Sequence, residues 1–163
     1  MKIFYALLLF TLPLYAAEVT TAYPANYEFV QVTNAGPKVL ASGKTLLLAG
    51  QTVPVSNFAA HRNGKTPRVH MLFTIAKAGK ESSTGRTKLI LKSKITVTRT
   101  EGVSRLQAPN NPKSFIEGPK TQTTEFSDES WSRAGDPTPI VATFRHDGQH
   151  YRLTVMFAPG AGK

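Results

Sequence analysis

Apolar and polar residues alternate along residues 69–75, 89–98 and 151–157. This period of two is typical of a β-strand with one buried face and one solvated face. The first segment places its large apolar side chains on a single face, namely Val69, Met71, Phe73 and Ile75. Residues 27–33 and 37–48 are weaker strand candidates. No window carries a sustained helical stripe with capping residues, so the pattern predicts strands throughout.

Two dipeptides predict tight hairpin turns. Asn63-Gly64 precedes the strand at 69–75, and Asp147-Gly148 precedes the strand at 151–157. Asn-Gly and Asp-Gly favour turns with positive φ, whose geometry matches the twist of the flanking strands. Both long alternating segments are therefore expected to be arms of hairpins.

Proline-rich composition predicts loops at residues 108–112 and 133–139, because proline lacks the backbone donor that a central strand needs. The first loop is the better candidate for an internal seam, near residues 106–112. A faint repeat relates residues 37–45 to residues 112–121 across it. The predicted fold is an all-β, antiparallel β-sandwich. Two similar β units packed together would explain the repeat, and chance similarity is the alternative.

The N-terminal segment has the layout of a secretory signal peptide. Lys2 is followed by an apolar run from Ile3 to Leu14, and Ala16 offers a small residue before a cleavage point. The run is shorter than the roughly 20 residues that span a bilayer as a helix. We therefore predict a signal peptide over residues 1–16 and a single β domain over residues 17–163, without a transmembrane span in the mature chain. A retained interfacial anchor is the rival interpretation.

The chain of 163 residues contains no cysteine. This excludes disulfide scaffolds, thiol nucleophiles, iron–sulfur clusters and cysteine-based zinc sites. An exported domain of this size without cysteine fits a bacterial periplasm or the extracellular space better than a eukaryotic secretory route, where small domains are often rich in disulfides. The expected localisation is periplasmic or secreted.

Positive charge is concentrated in one part of the sequence. The chain has 20 Lys and Arg against 10 Asp and Glu, a formal net charge of +10. Residues 62–105 hold eleven of these basic residues and only Glu81 and Glu101 as acids. Three of the bases share one strand face and three lie in or beside the connection that precedes it. These six form the predicted binding set: Lys88, Lys92 and Lys94, with Lys77, Lys80 and Arg86.

A segregated basic face predicts an anionic partner, either an anionic envelope component or an acidic protein surface. The competing interpretation is that lysines keep an exposed sheet face soluble and block edge-to-edge pairing. Nucleic acid is disfavoured as the partner. The export signal places the chain away from cytoplasmic DNA and RNA, and residues 77–105 contain no aromatic side chain on which bases would stack.

Acidic residues cluster in the second half of the chain, at Glu117, Glu125, Asp128, Glu129 and Asp136. Their opposite sign allows two arrangements. The acidic and basic tracts meet within one molecule, or they meet head to tail between copies, which is how a heterologous interface builds filaments.

Two constellations were considered for chemistry. His146 and His150 flank the Asp147-Gly148 turn, but a two-residue hairpin puts their imidazoles on opposite faces, which disfavours a shared metal. Carboxylates near Trp131 have the composition of a glycosidase pair beside an aromatic sugar platform, and a solvated strand end has the same composition. No catalytic motif with a defined spacing occurs in the sequence. We therefore expect no catalytic residue, metal site or cofactor.

The sequence thus predicts an exported, non-enzymatic binding protein of the bacterial envelope or extracellular space, whose basic β face docks an anionic partner. The main alternative is a subunit of a surface fibre or exported assembly, which implies self-association. The second alternative is a periplasmic inhibitor or immunity protein that covers an acidic enzyme cleft.

Overall fold

The computed structural model of the protein describes residues 21–57, 67–108 and 111–159. These residues form eight strands: β1 (Ala22–Thr33), β2 (Gly36–Leu48), β3 (Thr52–Ser56), β4 (Arg68–Lys80), β5 (Thr87–Ala108), β6 (Asn111–Arg133), β7 (Ile140–His146) and β8 (Gln149–Phe157). Sheet 1 has the strand order β2-β1-β8-β7, and sheet 2 has the order β3-β4-β5-β6. All neighbouring strands pair antiparallel. The all-β prediction is confirmed, and the two sheets are consistent with the predicted sandwich.

Two predictions fall on residues outside those described. These are the signal peptide over residues 1–16 and the Asn63-Gly64 turn. The strands on either side of that turn do pair, from Ser56 opposite His70 to Thr52 opposite Thr74. No helix among the described residues is long and apolar enough to cross a membrane.

The core lies between the two sheets and draws on both of them. Alternation along β4, β5 and β8 turns every second side chain inward, as predicted, because successive strand residues point to opposite faces. The largest fully buried side chains come from both sheets and include Tyr23, Phe29, Phe73, Phe157, Leu47, Met71, Ile75, Leu89, Ile95 and Leu153. Phe29 of β1 stacks on Tyr151 of β8, with ring centroids 5.7 Å apart.

A β-bulge in β2 and burial on both faces of β1 explain why these strands are weak in the sequence pattern. Phe29 and Val30 of β1 lie opposite Ala41 and Val39 of β2, so Leu40 is the extra residue of the bulge. Leu40 and Ala41 are both buried. β1 pairs with β8 without a shift, and Val30 lies opposite Arg152 on the outer face but is buried there as Phe29 is on the inner face. An apolar residue on each face obscures the period of two.

The Asp147-Gly148 hairpin is confirmed. Asp147 has φ of 49° and Gly148 has φ of 70°, the left-handed backbone that such a turn requires. The turn joins β7 to β8, with His146 opposite Gln149 and Arg145 opposite His150. Because directly opposed residues share a face, His146 and His150 lie on opposite faces, as the sequence indicated.

The division into two similar β units is wrong. Sheet 1 combines β1 and β2 from the first half of the chain with β7 and β8 from its end, so the sheets are not the two halves. Residues 37–45 lie on an edge strand of sheet 1, whereas residues 112–121 lie on the edge strand of sheet 2. The two repeated segments therefore have different neighbouring strands, which favours the interpretation that their similarity is due to chance.

The strands on either side of the predicted seam near residues 106–112 are paired with each other. β5 and β6 stay paired from Lys88 opposite Arg133 to Ala108 opposite Asn111. Residues 111 and 112 of the predicted loop belong to β6, and residues 109 and 110 lie outside those described. The other predicted loop is present between β6 and β7, at residues 134–139.

Candidate anion-binding surface

The outer face of sheet 2 carries three of the predicted lysines. Leu89, Leu91 and Ile95 of β5 point into the core, so Lys88, Lys92 and Lys94 point away from it. The predicted sharing of one face by these three lysines is confirmed.

Acidic side chains of β6 lie beside two of these lysines. Lys92 Nζ is 3.1 Å from Glu129 Oε2, and Lys94 Nζ is 3.1 Å from Glu125 Oε2. All four side chains are more than half exposed, so each pair adds little to folding stability. We expect these ion pairs to affect anion binding more than folding stability, because each carboxylate offsets the ammonium charge that an external anion would meet.

The acidic tract continues to pair with bases further along the same hairpin. Arg105 Nε is 2.6 Å from Glu117 Oε1, and Lys120 Nζ is 3.8 Å from Glu101 Oε2. Together with the pairs at Lys92 and Lys94, these contacts confirm that acidic and basic residues meet within one molecule. Charge on the strand face is therefore largely balanced along the middle of β5.

Unbalanced charge collects where β4 is joined to β5. We call this region the basic end; its cations are Lys77, Lys80, Arg86, Lys88 and Arg133. The turn between the strands is closed by Glu81 N donating to Arg86 O and Gly85 N donating to Glu81 O. Five cations thus stand near two carboxylates, those of Glu81 and Asp136.

The cations of the basic end do not all occupy the same position. Lys88 lies opposite Arg133 on the outer face, and Arg86 immediately precedes β5 in the connection from β4. Lys77 and Lys80 are paired with the inward-facing positions Leu89 and Thr87, and thus lie on the rim. Lys77 Nζ donates to Thr21 Oγ1 over 2.6 Å. Of the six predicted residues, Lys88 is therefore an outer-face lysine without an ion pair among the described residues, Arg86 lies in the connection, two lie on the rim and two are paired with glutamates.

Glu81 and Arg133 fasten the β4–β5 turn to β6. Arg133 donates from Nε and Nη2 to the two carboxylate oxygens of Glu81, over 2.8 and 2.9 Å. These bonds, with one from the Thr84 hydroxyl, lower the pKa of Glu81 to about 2. The pKa of Asp136 is also lowered, first by its hydrogen bonds from Thr138 and then by the charges of Arg133 and Arg86. A bidentate pair of this kind fixes orientation as well as charge.

Trp131 stands on the outer face beside this end. Its side chain is 58% exposed, and it lies opposite Ile90 of β5. Lys88 Nζ is 5.1 Å from the ring centroid and Arg133 Cζ is 5.7 Å from it, both within cation–π range. Residues 77–105 contain no aromatic side chain of their own, because the aromatic residue that accompanies them comes from β6. Only the register of β5 with β6 reveals it.

A shallow groove of about 450 Å³ lies on the same face. Its lining includes Lys92 and Glu129, the pair next to Ile90 and Trp131 in the register. Thr52 and Thr74 also line it, with their hydroxyls 2.8 Å apart, as does Ser127. Apart from Leu72, the groove is lined by side chains that donate or accept hydrogen bonds.

Among the described residues, β5 and β6 pair with each other well beyond the end of the pairing of β4 with β5. Pairing of β4 with β5 ends at Arg68 opposite Thr98, whereas β5 and β6 pair as far as Ala108 opposite Asn111. We call residues 100–108 and 111–121 the arm; its β5 strand is about 27 Å long. Its exposed apolar side chains lie on both faces: Leu106 opposite Ile116 on one, and Val103 and Phe115 on the other.

The carboxylates near Trp131 have local partners. Glu125 and Glu129 pair with lysines, and Asp128 accepts a hydrogen bond from Ser130 Oγ over 2.6 Å. Within residues 21–57, 67–108 and 111–159, no group of three or more His, Asp or Glu is placed to hold a metal ion.

The described chain is therefore an all-β protein of two antiparallel sheets, with a charged outer face and a projecting arm. No family model, curated protein or solved structure matches it.

Proposed function

We propose that this protein is an exported, non-enzymatic binding protein of the bacterial envelope or extracellular space, which docks an anionic envelope component on sheet 2. The observation that carries the proposal is the unbalanced positive charge of the basic end. Export is supported by the apolar run from Ile3 to Leu14 and by the absence of cysteine.

The ion pairs of the described residues favour one part of sheet 2 as the centre of this proposed docking surface. Lys92 and Lys94 are offset by Glu129 and Glu125. Arg86 and Lys88 have no carboxylate within ion-pair distance among the described residues. Lys77 and Lys80 extend the charge around the rim of the sheet. We therefore place the centre of the binding surface at Arg86 and Lys88, with the other four predicted residues at its margins.

Replacing Arg86 and Lys88 together by Gln is expected to weaken binding to isolated envelope fractions by about tenfold at low salt, since each exposed charge contact contributes about 0.5–1 kcal/mol. Binding of the wild-type protein should fall steeply as salt rises, because ions screen exposed charges and compete for them. A sedimentation assay over a salt series measures both effects.

The matched control replaces Lys38 and Lys44 by Gln, which removes the same charge from exposed positions on β2 of sheet 1. This variant should bind as the wild type does. Equal losses in both variants would show that binding follows net charge and would contradict a site on sheet 2. Removing Lys92 and Lys94 should have a smaller effect than removing Arg86 and Lys88.

A second candidate function, a subunit of an exported assembly, is favoured by the arm. A two-stranded ribbon is marginally stable on its own in water, and exposed apolar side chains on both faces of this one suit burial against another chain. β6 is an edge strand of sheet 2, which also allows a neighbour's strand to be added. The inhibitor or immunity alternative stays a prediction from the sequence.

Replacing Leu106 and Ile116 together by Ser is expected to abolish self-association, if the arm assembles copies of this chain. These side chains are 66% and 63% exposed and directly opposite each other. Light scattering over a concentration series should give a rising molar mass for the wild type and the monomer mass for this variant.

The control for the arm replaces Val39 and Val141 by Ser, since both are exposed valines on the edge strands of sheet 1. It should associate as the wild type does. A wild-type protein that remains a monomer at high concentration would refute the assembly candidate and leave the docking proposal intact.

A further inference from the structure

The register of β5 with β6 arranges the outer face of sheet 2 in successive rows around Trp131. Lys88 and Arg133 are opposite each other one row toward the strand ends. Lys92 and Glu129 are opposite each other one row toward the middle of the sheet. Trp131 therefore stands between a cationic row on one side and a balanced, hydrogen-bonding row on the other.

The exposed indole offers a flat apolar surface between these polar rows. Its electron-rich face attracts positively polarised groups, and Lys88 and Arg133 already approach it from the basic end. On its other side lies the pair of Lys92 and Glu129, which lines the groove. A ring whose C–H groups are positively polarised and whose edges carry hydroxyls, as in a sugar, suits that position.

The groove supplies partners for such hydroxyls. Thr52, Thr74 and Ser127 each donate and accept hydrogen bonds, Glu129 accepts, and Lys92 donates. From Lys92 to Lys88 the surface extends about 14 Å along β5. This length accommodates a short oligosaccharide lying along the strand, with its acid groups toward Arg86 and Lys88.

We infer that the outer face of sheet 2 binds an acidic polysaccharide, with a sugar ring stacked on Trp131, hydroxyls in the groove and carboxylate or sulfate groups at Arg86 and Lys88. The inference rests on the proposed function and names the class of its anionic partner.

The carboxylates on this face favour a glycan over other anions. Glu125 and Glu129 are about half exposed on the same face as the outer cations. A nucleic acid or an anionic bilayer presents negative charge at every step and would meet these carboxylates unfavourably. An acidic polysaccharide separates its charges with neutral hydroxylated atoms, which the groove can contact without repulsion.

The intrinsic fluorescence of the protein tests this directly, because Trp131 is its single tryptophan. Polygalacturonate, alginate, hyaluronan and heparin are each titrated into the full chain, with fully methyl-esterified polygalacturonate as the uncharged match. At least one acidic polymer should shift the emission of Trp131 saturably. If polygalacturonate binds, its ester should bind about tenfold more weakly.

Calorimetry then compares variants, since Trp131→Ala lacks the fluorophore. Trp131→Ala should weaken binding of the active polymer about tenfold, whereas Phe115→Ala, which removes a similarly exposed aromatic from the arm, should bind normally. Equal melting temperatures for Trp131→Ala and the wild type would show that the fold is retained, as expected for a side chain outside the core.

The outcomes separate this inference from the proposed function. If acidic polymers bind without a change in emission and Trp131→Ala binds normally, charge docking stands and the stacked glycan is wrong. If no polymer binds but vesicles containing phosphatidylglycerol do, in a manner that salt and the loss of Arg86 and Lys88 abolish, the partner is a lipid headgroup and the glycan inference is overturned. If neither the polymers nor the vesicles bind and the envelope assay also fails, both proposals are overturned.

Discussion

Phe29→Ala is expected to lower the free energy of unfolding by about 3–5 kcal/mol, a large part of the roughly 5–15 kcal/mol that holds a typical domain folded. Phe29 is fully buried, lies opposite Ala41 of β2 and Leu153 of β8, and stacks on Tyr151. Its truncation removes apolar contacts and leaves a cavity that rigid neighbouring strands cannot fill. Urea unfolding, followed by circular dichroism, should show a lower midpoint with an unchanged slope.

Phe115→Ala is the control with the same chemistry. Phe115 is 57% exposed on the arm, so its loss should change the unfolding free energy by no more than about 0.5 kcal/mol. Comparable losses in the two variants at low protein concentration would contradict the placement of the core between the sheets. A large loss in Phe29→Ala alone supports it.

Alternation along the chain was sufficient to predict three of the strands that build the core, β4, β5 and β8. It predicts which side of β4, β5 and β8 is buried, because side-chain direction depends only on the position within the strand. It does not predict the strand order. The pairing of β1 with β8 joins Phe29 to Leu153 across most of the chain, and no local pattern specifies such a partner.

In the candidate site, too, features of a single strand could be predicted from the sequence, whereas features that depend on strand pairing could not. Lys88, Lys92 and Lys94 could be assigned to one face from β5 alone. The ion pair of Lys92 with Glu129 could not be predicted from β5 alone. It depends on how β5 is aligned with β6, a strand that comes later in the chain. Trp131 was considered with its neighbouring carboxylates, and its position beside Lys88 follows from that same register.

Asn57 is a structural residue that no pattern in the sequence distinguishes. It follows β3 and occupies no regular strand. Its Nδ2 donates to Leu40 O over 2.7 Å and to Pro67 O over 3.0 Å, and its Oδ1 accepts from Val69 N over 2.8 Å. One side chain thus joins β2 of sheet 1 to β4 of sheet 2. A polar residue near a loop has the same appearance in a sequence whether or not it makes such bonds.

Asn57→Ala is expected to lower the free energy of unfolding by about 2–4 kcal/mol, because backbone groups of the buried residues Leu40 and Val69 lose hydrogen-bond partners. Urea unfolding at neutral pH measures the loss. Asn26→Ala is the control: Asn26 is half-buried on the outer face of sheet 1 and makes no side-chain hydrogen bond among the described residues. It should change stability by no more than about 0.5 kcal/mol.

Asn57→Asp tests whether the amide donors stabilise the fold or whether the side chain simply fills space. The new carboxyl keeps the acceptor for Val69 N, but when ionised it faces the Leu40 and Pro67 carbonyl oxygens without a proton to donate. The pKa of this group should therefore be raised in the folded protein, so its penalty should be greatest at neutral pH and diminish as the pH falls below the folded pKa. A variant as stable as the wild type at neutral pH would refute the assigned bonds. A deficit that decreases on acidification, relative to Asn57→Ala, would show that donation to these two carbonyls links the sheets.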